Sequence, residues 1–135
     1  FNIGSIVRTA NAFNAGGVHI VGKRRWNRRG AMVTDRYLHV HHHDSEESLF
    51  GWLGERGIEA VGVDNLPGSV PLETATLPRD VGSEGLGLTP GAVTGCARLV
   101  AITQRGSTRS LNAGAAAAIA MYHWAIQHPV AEPLA

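Results

Sequence analysis

The stretch from Gly106 to Trp124, GSTRSLNAGAAAAIAMYHW, constrains this chain more than any other. It joins a glycine-started polar loop to a helix that is nearly all alanine. From Ala113 to Ala120 the only residue types are Ala, Gly and Ile. Alanine has the best intrinsic helix propensity. A helix so bare cannot fill a core with its own bulk, but it can lie close against another backbone. Ser110 and Asn112 stand at the junction, with Leu111 between them. One reading is a tight-packing helix with a polar N-cap. The other is that Ser110 and Asn112 hold polar groups at a helix N-terminus, where orphan N–H groups and the dipole favour an electron-rich ligand.

The rest of the chain supplies the elements this helix must pack on. Ile3, Ile6, Val7, Ala10 and Phe13 fall at helical spacing and predict a helix over Ile3–Ala15, ended by Gly16-Gly17. Val18–Val21 reads as a short strand, Lys23–Gly30 as a basic loop, Met32–Tyr37 as ambiguous and Leu38–His43 as a strand running into a turn. Asp44 is expected to N-cap a helix over Ser45–Arg56, with Glu47 completing a capping box and Gly57 closing it. Ile58–Val63 reads as a strand and Asp64–Asp80, with three prolines, as a loop. Thr89-Pro90 opens a short helix, Arg98–Ile102 is a strand, and Pro129 ends the final helix. Alternating strands and helices give an α/β class with a mainly parallel sheet flanked by helices. At 135 residues the expectation is one domain over 1–135.

Charge is informative through its distribution. Net charge is only +1, yet five of the 12 Lys and Arg residues, Lys23, Arg24, Arg25, Arg28 and Arg29, fall in one run around Trp26. That points to a local anionic partner. Arginines meet phosphates and an aromatic face stacks an unpaired base, so KRRWNRR suits RNA; a solvated charged loop is the plain alternative. The single Cys96 excludes an intrachain disulfide, and no stretch resembles a transmembrane span or a signal peptide. The expectation is a cytoplasmic protein without a membrane partner, with Cys96 as a small buried apolar residue. The run His39, His41, His42, His43, Asp44 invites a zinc reading. Adjacent strand histidines point to opposite faces and no cysteine helps, so no metal is expected.

Two further stretches carry the argument to function. One is Asn2–Ala10, NIGSIVRTA; the other is Gly82–Leu88, GSEGLGL. Neither has dinucleotide G-x-G-x-x-G spacing or a P-loop Gly-Lys-Ser/Thr. Together with Ser110-Leu111-Asn112, in this order, they resemble the three motifs of the SpoU family of RNA methyltransferases within the SPOUT superfamily. The first motif pairs Asn2 with Arg8; the second is Gly82, Glu84, Gly87 and Leu88; the third is Ser110, Leu111 and Asn112.

The resemblance implies a SPOUT-type fold with a deep C-terminal trefoil knot, which periodicity alone would never suggest. It implies a homodimer, for which the apolar faces carrying Phe13, Met121, Tyr122 and Trp124 are available. It implies S-adenosyl-L-methionine as methyl donor and RNA, tRNA in preference to rRNA, as substrate. Arg8, Asn2, Glu84, Ser110 and Asn112 become the catalytic set. Val63, Asp64, Gly82, Ser83, Gly87, Ile102, Ser110 and Leu111 become the cofactor-binding set, and Arg24, Arg25, Trp26, Arg28 and Arg29 the RNA-binding set. The family usually has Ile-Pro-Met where this chain has Ile102-Thr103-Gln104. A guanidinium is always protonated, so Arg8 suits stabilisation of a 2′-oxyanion better than proton abstraction. Methylation of a base nitrogen and a non-catalytic RNA-binding domain are the alternatives.

One feature departs from the pattern. Buried parallel strands read as apolar runs, yet only Val81 stands between Arg79-Asp80 and Gly82. Either the sheet is unusually short here, or residues are missing within Arg79–Gly82, as is a strand ahead of Asn2; omission is the expectation. Phe1 in place of methionine points the same way.

Overall fold

The computed structural model describes residues 3–22, 39–79, 81–84, 90–107 and 111–129. In chain order the elements are α1 (Ile3–Ala12), β1 (Val18–Val21), β2 (Val40–His43), α2 (Glu46–Glu55), β3 (Glu59–Val63), β4 (Val70–Pro71), a 3-10 turn (Leu72–Thr74), β5 (Val81–Glu84), α3 (Pro90–Gly95), β6 (Arg98–Ala101) and α4 (Ala113–Gln127). The basic loop with Arg24, Arg25, Trp26, Arg28 and Arg29, the ambiguous Met32–Tyr37, and the motif residues Asn2, Gly87 and Ser110 lie outside the described residues. So do Leu88 of the second motif and Asp80, inside the Arg79–Gly82 stretch where residues are expected to be missing.

Among the described residues every strand pair is parallel, and the strands form two sheets. β1 pairs with β2, and a four-stranded sheet runs β4-β6-β3-β5. The α/β class and the parallel sheet expected from alternation are both present. Three cores hold it. Ile3 and Val7 of α1 pack on Ile20, flanked by Val18 and Val40. Leu49 and Leu53 of α2 pack on Ala60, with Phe50, Trp52 and Cys96 alongside. Val61, Val63, Leu72, Ala75, Leu77, Val100 and Ala120 form the third, with Ile102 and Trp124 against it.

Several boundaries differ from the sequence reading, each for a local reason. α1 stops at Ala12, not Ala15, because Asn14 takes a left-handed conformation (φ 55°) and the Ala15 N–H returns to the Ala10 carbonyl at 2.9 Å. Asn tolerates that conformation, so Gly16-Gly17 is not what ends the helix. The cap of α2 is Ser45, not Asp44: Ser45 is extended and its side chain accepts from Ser48 N at 3.2 Å. Glu47 then falls at the second helical position, so the expected capping box does not form. Gly57 closes this helix as expected, at φ 66°. The supposed loop over 64–80 contains β4 and the 3-10 turn. The strand that seemed to be lacking before the glycine-rich motif is the motif itself: Val81–Glu84 pair with Glu59–Gly62 of β3. Cys96 is partly rather than fully buried.

The alanine helix behaves as its composition dictates. α4 buries Ala116 and Ala120 and packs along α1. At their crossing a Cβ on Gly114 would stand 3.1 Å from Ser5 Oγ, so the glycine permits the approach. Of the residues expected on a dimer face, Trp124 instead lies against the third core, its indole N–H donating to the Pro78 carbonyl at 3.1 Å. The exposed apolar residues of α4 are Ile119, Tyr122 and Ile126, with Phe13 edge-on to Tyr122.

Candidate active site

Three neighbouring parallel strands, β5, β3 and β6, finish at one edge. Gly62 is level with Glu84 on one side and Leu99 on the other, and Val63 is level with Val100. Ligands of open parallel sheets bind outside such carboxyl ends. β5, the part of the glycine-rich motif that is described, ends at this edge, and the 64–69 loop and the 102–107 segment leave from it.

The 64–69 loop is fixed by its own polar groups. The Asp64 N–H bonds the Val100 carbonyl at 3.0 Å, and the Asp64 carboxylate accepts from Asn65 N at 2.8 Å. Ser69 Oγ donates to the Asp64 carbonyl at 2.9 Å and accepts from Leu66 N. Gly68 turns the chain at φ 87°. After β6, residues 102–105 alternate between partly buried and exposed. Ile102 packs on the core, and the outward Thr103 hydroxyl donates to Glu73 Oε1 at 2.9 Å. The Glu73 carboxyl is held below its ordinary range, first by its own backbone N–H and then by this hydroxyl. Gln104 turns in, and its buried carboxamide oxygen has no partner among the described residues.

Asn112 is the N-cap of α4: its Oδ1 accepts from Ala115 N at 2.7 Å. The Ser5/Gly114 contact brings this cap beside α1, because Asn112 Oδ1 and Ser5 Oγ are both within reach of the same Cβ position. Arg8 is exposed on α1, three residues from Ser5, less than one helical turn. The structure thus sets the helix of the first motif beside the cap of the third.

Of the expected cofactor residues, Val63 and Ile102 turn their side chains into the core, so only their backbones face the edge. Gly82, Ser83 and Glu84 lie on β5, Asp64 begins the loop after β3, and Leu111 is partly buried before the cap. Ser5, Ser69 and the Glu73–Thr103 pair are contributors that sequence reasoning missed. Ser and Thr in loops are too common to signal a role without coordinates.

The histidines gather elsewhere. His19 stacks on His41, with centroids 4.4 Å apart, and its Nδ1 lies 2.9 Å from His43 Nε2; His43 Nδ1 lies 2.9 Å from Ser48 Oγ. Trp52 of α2 covers the group and Arg56 lies over Trp52. Among the described residues no three His, Cys, Asp or Glu side chains form a group able to hold a metal ion. Burial, followed by His41, His43 and Arg56, lowers the His19 pKa to about 4.

A parallel α/β sheet with ordered loops leaving the carboxyl edge of its strands is an open-sheet α/β domain, the kind that takes ligands at that edge. The chain belongs to the SpoU rRNA Methylase family, whose profile matches residues 1–122. It is 33% identical over 135 residues to an uncharacterised tRNA/rRNA methyltransferase of Mycobacterium avium (strain 104), covering 89% of this chain and 41% of that one. It is 30% identical over 145 residues to a Bacillus subtilis (strain 168) protein assigned to the TrmH family of tRNA/rRNA methyltransferases, covering 97% of this chain and 56% of that one. In structure it resembles the SpoU methyltransferase AviRb of Streptomyces viridochromogenes in complex with the cofactor AdoMet. That likeness has a TM-score of 0.82 and 28% identity, over 93% of this chain and 55% of the other. The chain spans about half the length of the relatives it matches.

Proposed function

We propose that this chain is the S-adenosyl-L-methionine-dependent methyl-transferring domain of an RNA methyltransferase, acting as a homodimer in the cytoplasm on a ribose 2′-hydroxyl, tRNA in preference to rRNA. The observation that carries it is the meeting of α1 and α4 at Ser5 and Gly114, which brings the Arg8 helix to the Asn112 cap in a member of this family.

The strand edge fits the donor molecule. Val63 and Ile102 point inward, so backbone groups are left to read an adenine, and the glycines of the second motif allow close backbone approach. When bound, the donor supplies an activated sulfonium methyl group, and the protein supplies orientation and electrostatics. Asp64, Gly82, Ser83, Gly87 and the 102–111 segment hold it. Arg8 donates to the 2′-oxygen as negative charge develops there, while the hydroxyl proton leaves to a substrate phosphate or water. Glu84 holds the arginine or the ribose, Asn2 and Ser110 orient the partners, and Asn112 fixes the start of α4. The basic loop with Arg24, Arg25, Trp26, Arg28 and Arg29 binds the RNA.

Two further parts of the reading rest on topology and exposure. β6 lies between β3 and β4, although β3 and β4 are joined directly by residues 64–69. A chain leaving β6 at that edge must pass this connection, which supports the knotted arrangement. The exposed stripe of Ile119, Tyr122 and Ile126, beside Phe13, supports a second copy on α4.

The deciding experiment incubates the full-length protein with labelled donor and with total tRNA or rRNA, followed by nucleoside mass spectrometry. The expected product is a 2′-O-methylated nucleoside from tRNA. A base-methylated product would move the chemistry to a ring nitrogen, and donor binding without any product would leave an RNA-binding domain.

A further inference from the structure

Residues 75–78 join the 3-10 turn to the approach to β5, and they belong to no sheet. Extended backbone outside a sheet normally leaves its carbonyls to water. Here all four are taken by side chains that come later in the chain. Gln127 Nε2 donates to the Ala75 carbonyl at 2.7 Å and Arg98 Nη1 to that of Thr76 at 3.0 Å. His128 Nε2 donates to the Leu77 carbonyl at 2.7 Å, and Trp124 Nε1 to that of Pro78 at 3.1 Å. The Leu77 N–H in turn donates to Gln127 Oε1 at 2.8 Å.

Gln127 is the centre of this strap. A carboxamide carries an acceptor and two donors, and here it bridges residues two apart on an extended chain, as a neighbouring strand would. Its nitrogen also lies 2.9 Å from His123 Nε2. That ring nitrogen also lies 3.3 Å from the Ala75 carbonyl. This network fixes which way round the carboxamide sits. Between the bonded carbonyls, Ala75 and Leu77 bury their side chains in the third core. Arg98 is itself anchored by Glu59 Oε1 at 2.8 Å.

Among the described residues, β5 is a four-residue edge strand whose one strand partner is β3. The strap ends three residues before it and supplies its upstream anchor. α4 therefore carries the Asn112 cap at one end and the strap at the other. We propose that Gln127 is a positioning residue: through the strap it sets the placement of β5, and with it Gly82, Ser83 and Glu84 of the second motif. This rests on the proposed function for the roles of those residues, but not for the placement of β5.

The test uses the full-length protein and Gln127→Leu, which keeps the bulk and loses every hydrogen bond. The first readout is amide hydrogen exchange over residues 81–84, with β1 as internal control. Exchange should quicken on the order of tenfold at β5 and not at β1, from two lost hydrogen bonds. The second is kinetic, well below the melting temperature. The donor KM should rise several-fold and kcat should fall, while the RNA KM is unchanged; Trp124→Phe, which loses one hydrogen bond and keeps the aromatic bulk, should show the same split more weakly. A strap that only glued the fold would lower the melting temperature without altering KM. Unchanged exchange at β5 would overturn the proposal, and so would faster exchange with an unchanged donor KM. If the wild-type protein binds no donor, the proposed function fails, and the exchange readout alone still decides whether the strap places β5.

Discussion

Acidification should weaken this fold first at His19. Its ring is enclosed by His41, His43 and Trp52, and its pKa falls from 6.5 to about 4. In the unfolded chain the ordinary value returns. Between those values the unfolded chain holds a proton that the folded chain does not, so stability is full above pH 6.5 and falls as pH drops toward 4. At about 1.36 kcal/mol per unit the whole shift would amount to ~3.4 kcal/mol. The ring is only partly buried, and solvent screening cuts this to about 1 kcal/mol. The assay is urea unfolding at pH 7.5 and 4.5 for the wild type and His19→Phe, which keeps a stacked ring and has no proton to bind. His43, also lowered by burial and then by His41 and His42, lies 2.9 Å from His19, so the difference reports on the His19–His43 pair. The wild type should lose about 1 kcal/mol more than the variant over this range. Equal losses, or a His19 resonance titrating at the ordinary imidazole value in NMR, would refute the reasoning.

Other expectations follow from the site and the packing. Arg8→Lys keeps the charge but loses the planar fork; turnover should fall ~10²–10³-fold with donor affinity near wild type, and full activity in Arg8→Ala would remove Arg8 from the mechanism. Changing Arg24, Arg25, Arg28 and Arg29 together to Ala should weaken RNA binding and flatten its salt dependence, while calorimetry shows donor affinity unchanged. Asn112→Ala should cost about 1 kcal/mol in thermal unfolding, the usual worth of an N-cap, and Asn112→Asp should recover most of it. Gly95→Ala would place a Cβ 2.5 Å from the Phe50 ring. It should destabilise by about 1–2 kcal/mol as an overpacked contact, with relief in the double variant Gly95→Ala/Phe50→Leu.

What could be read in the sequence was what periodicity and punctuation encode. α1 announces its face through Ile3, Val7 and Ala10, and α4 announces close packing through its alanines. Helix ends were harder, since several residues can do the same job within two positions: Asn14 rather than Gly16 ends α1, and Ser45 rather than Asp44 caps α2. β5 was invisible because it is short and glycine-containing and owes its existence to β3. The 75–78 strap was invisible because its partners stand about fifty residues away. The motif residues were legible as residues, but the meeting of α1 and α4 at Gly114 depends on a tertiary contact that no local pattern carries.

The place of β6 sets a timetable for the ribosome. β3 and β4 leave it joined by residues 64–69, yet they are two strand spacings apart, roughly 10 Å. The slot between them can be filled only after Ala101 has been made. Until then both strands present unpaired edges, which invite pairing with other chains. Nascent chains halted before Arg98 should therefore be the most aggregation-prone, and insertion of β6 should be the slow, committing step of biosynthesis.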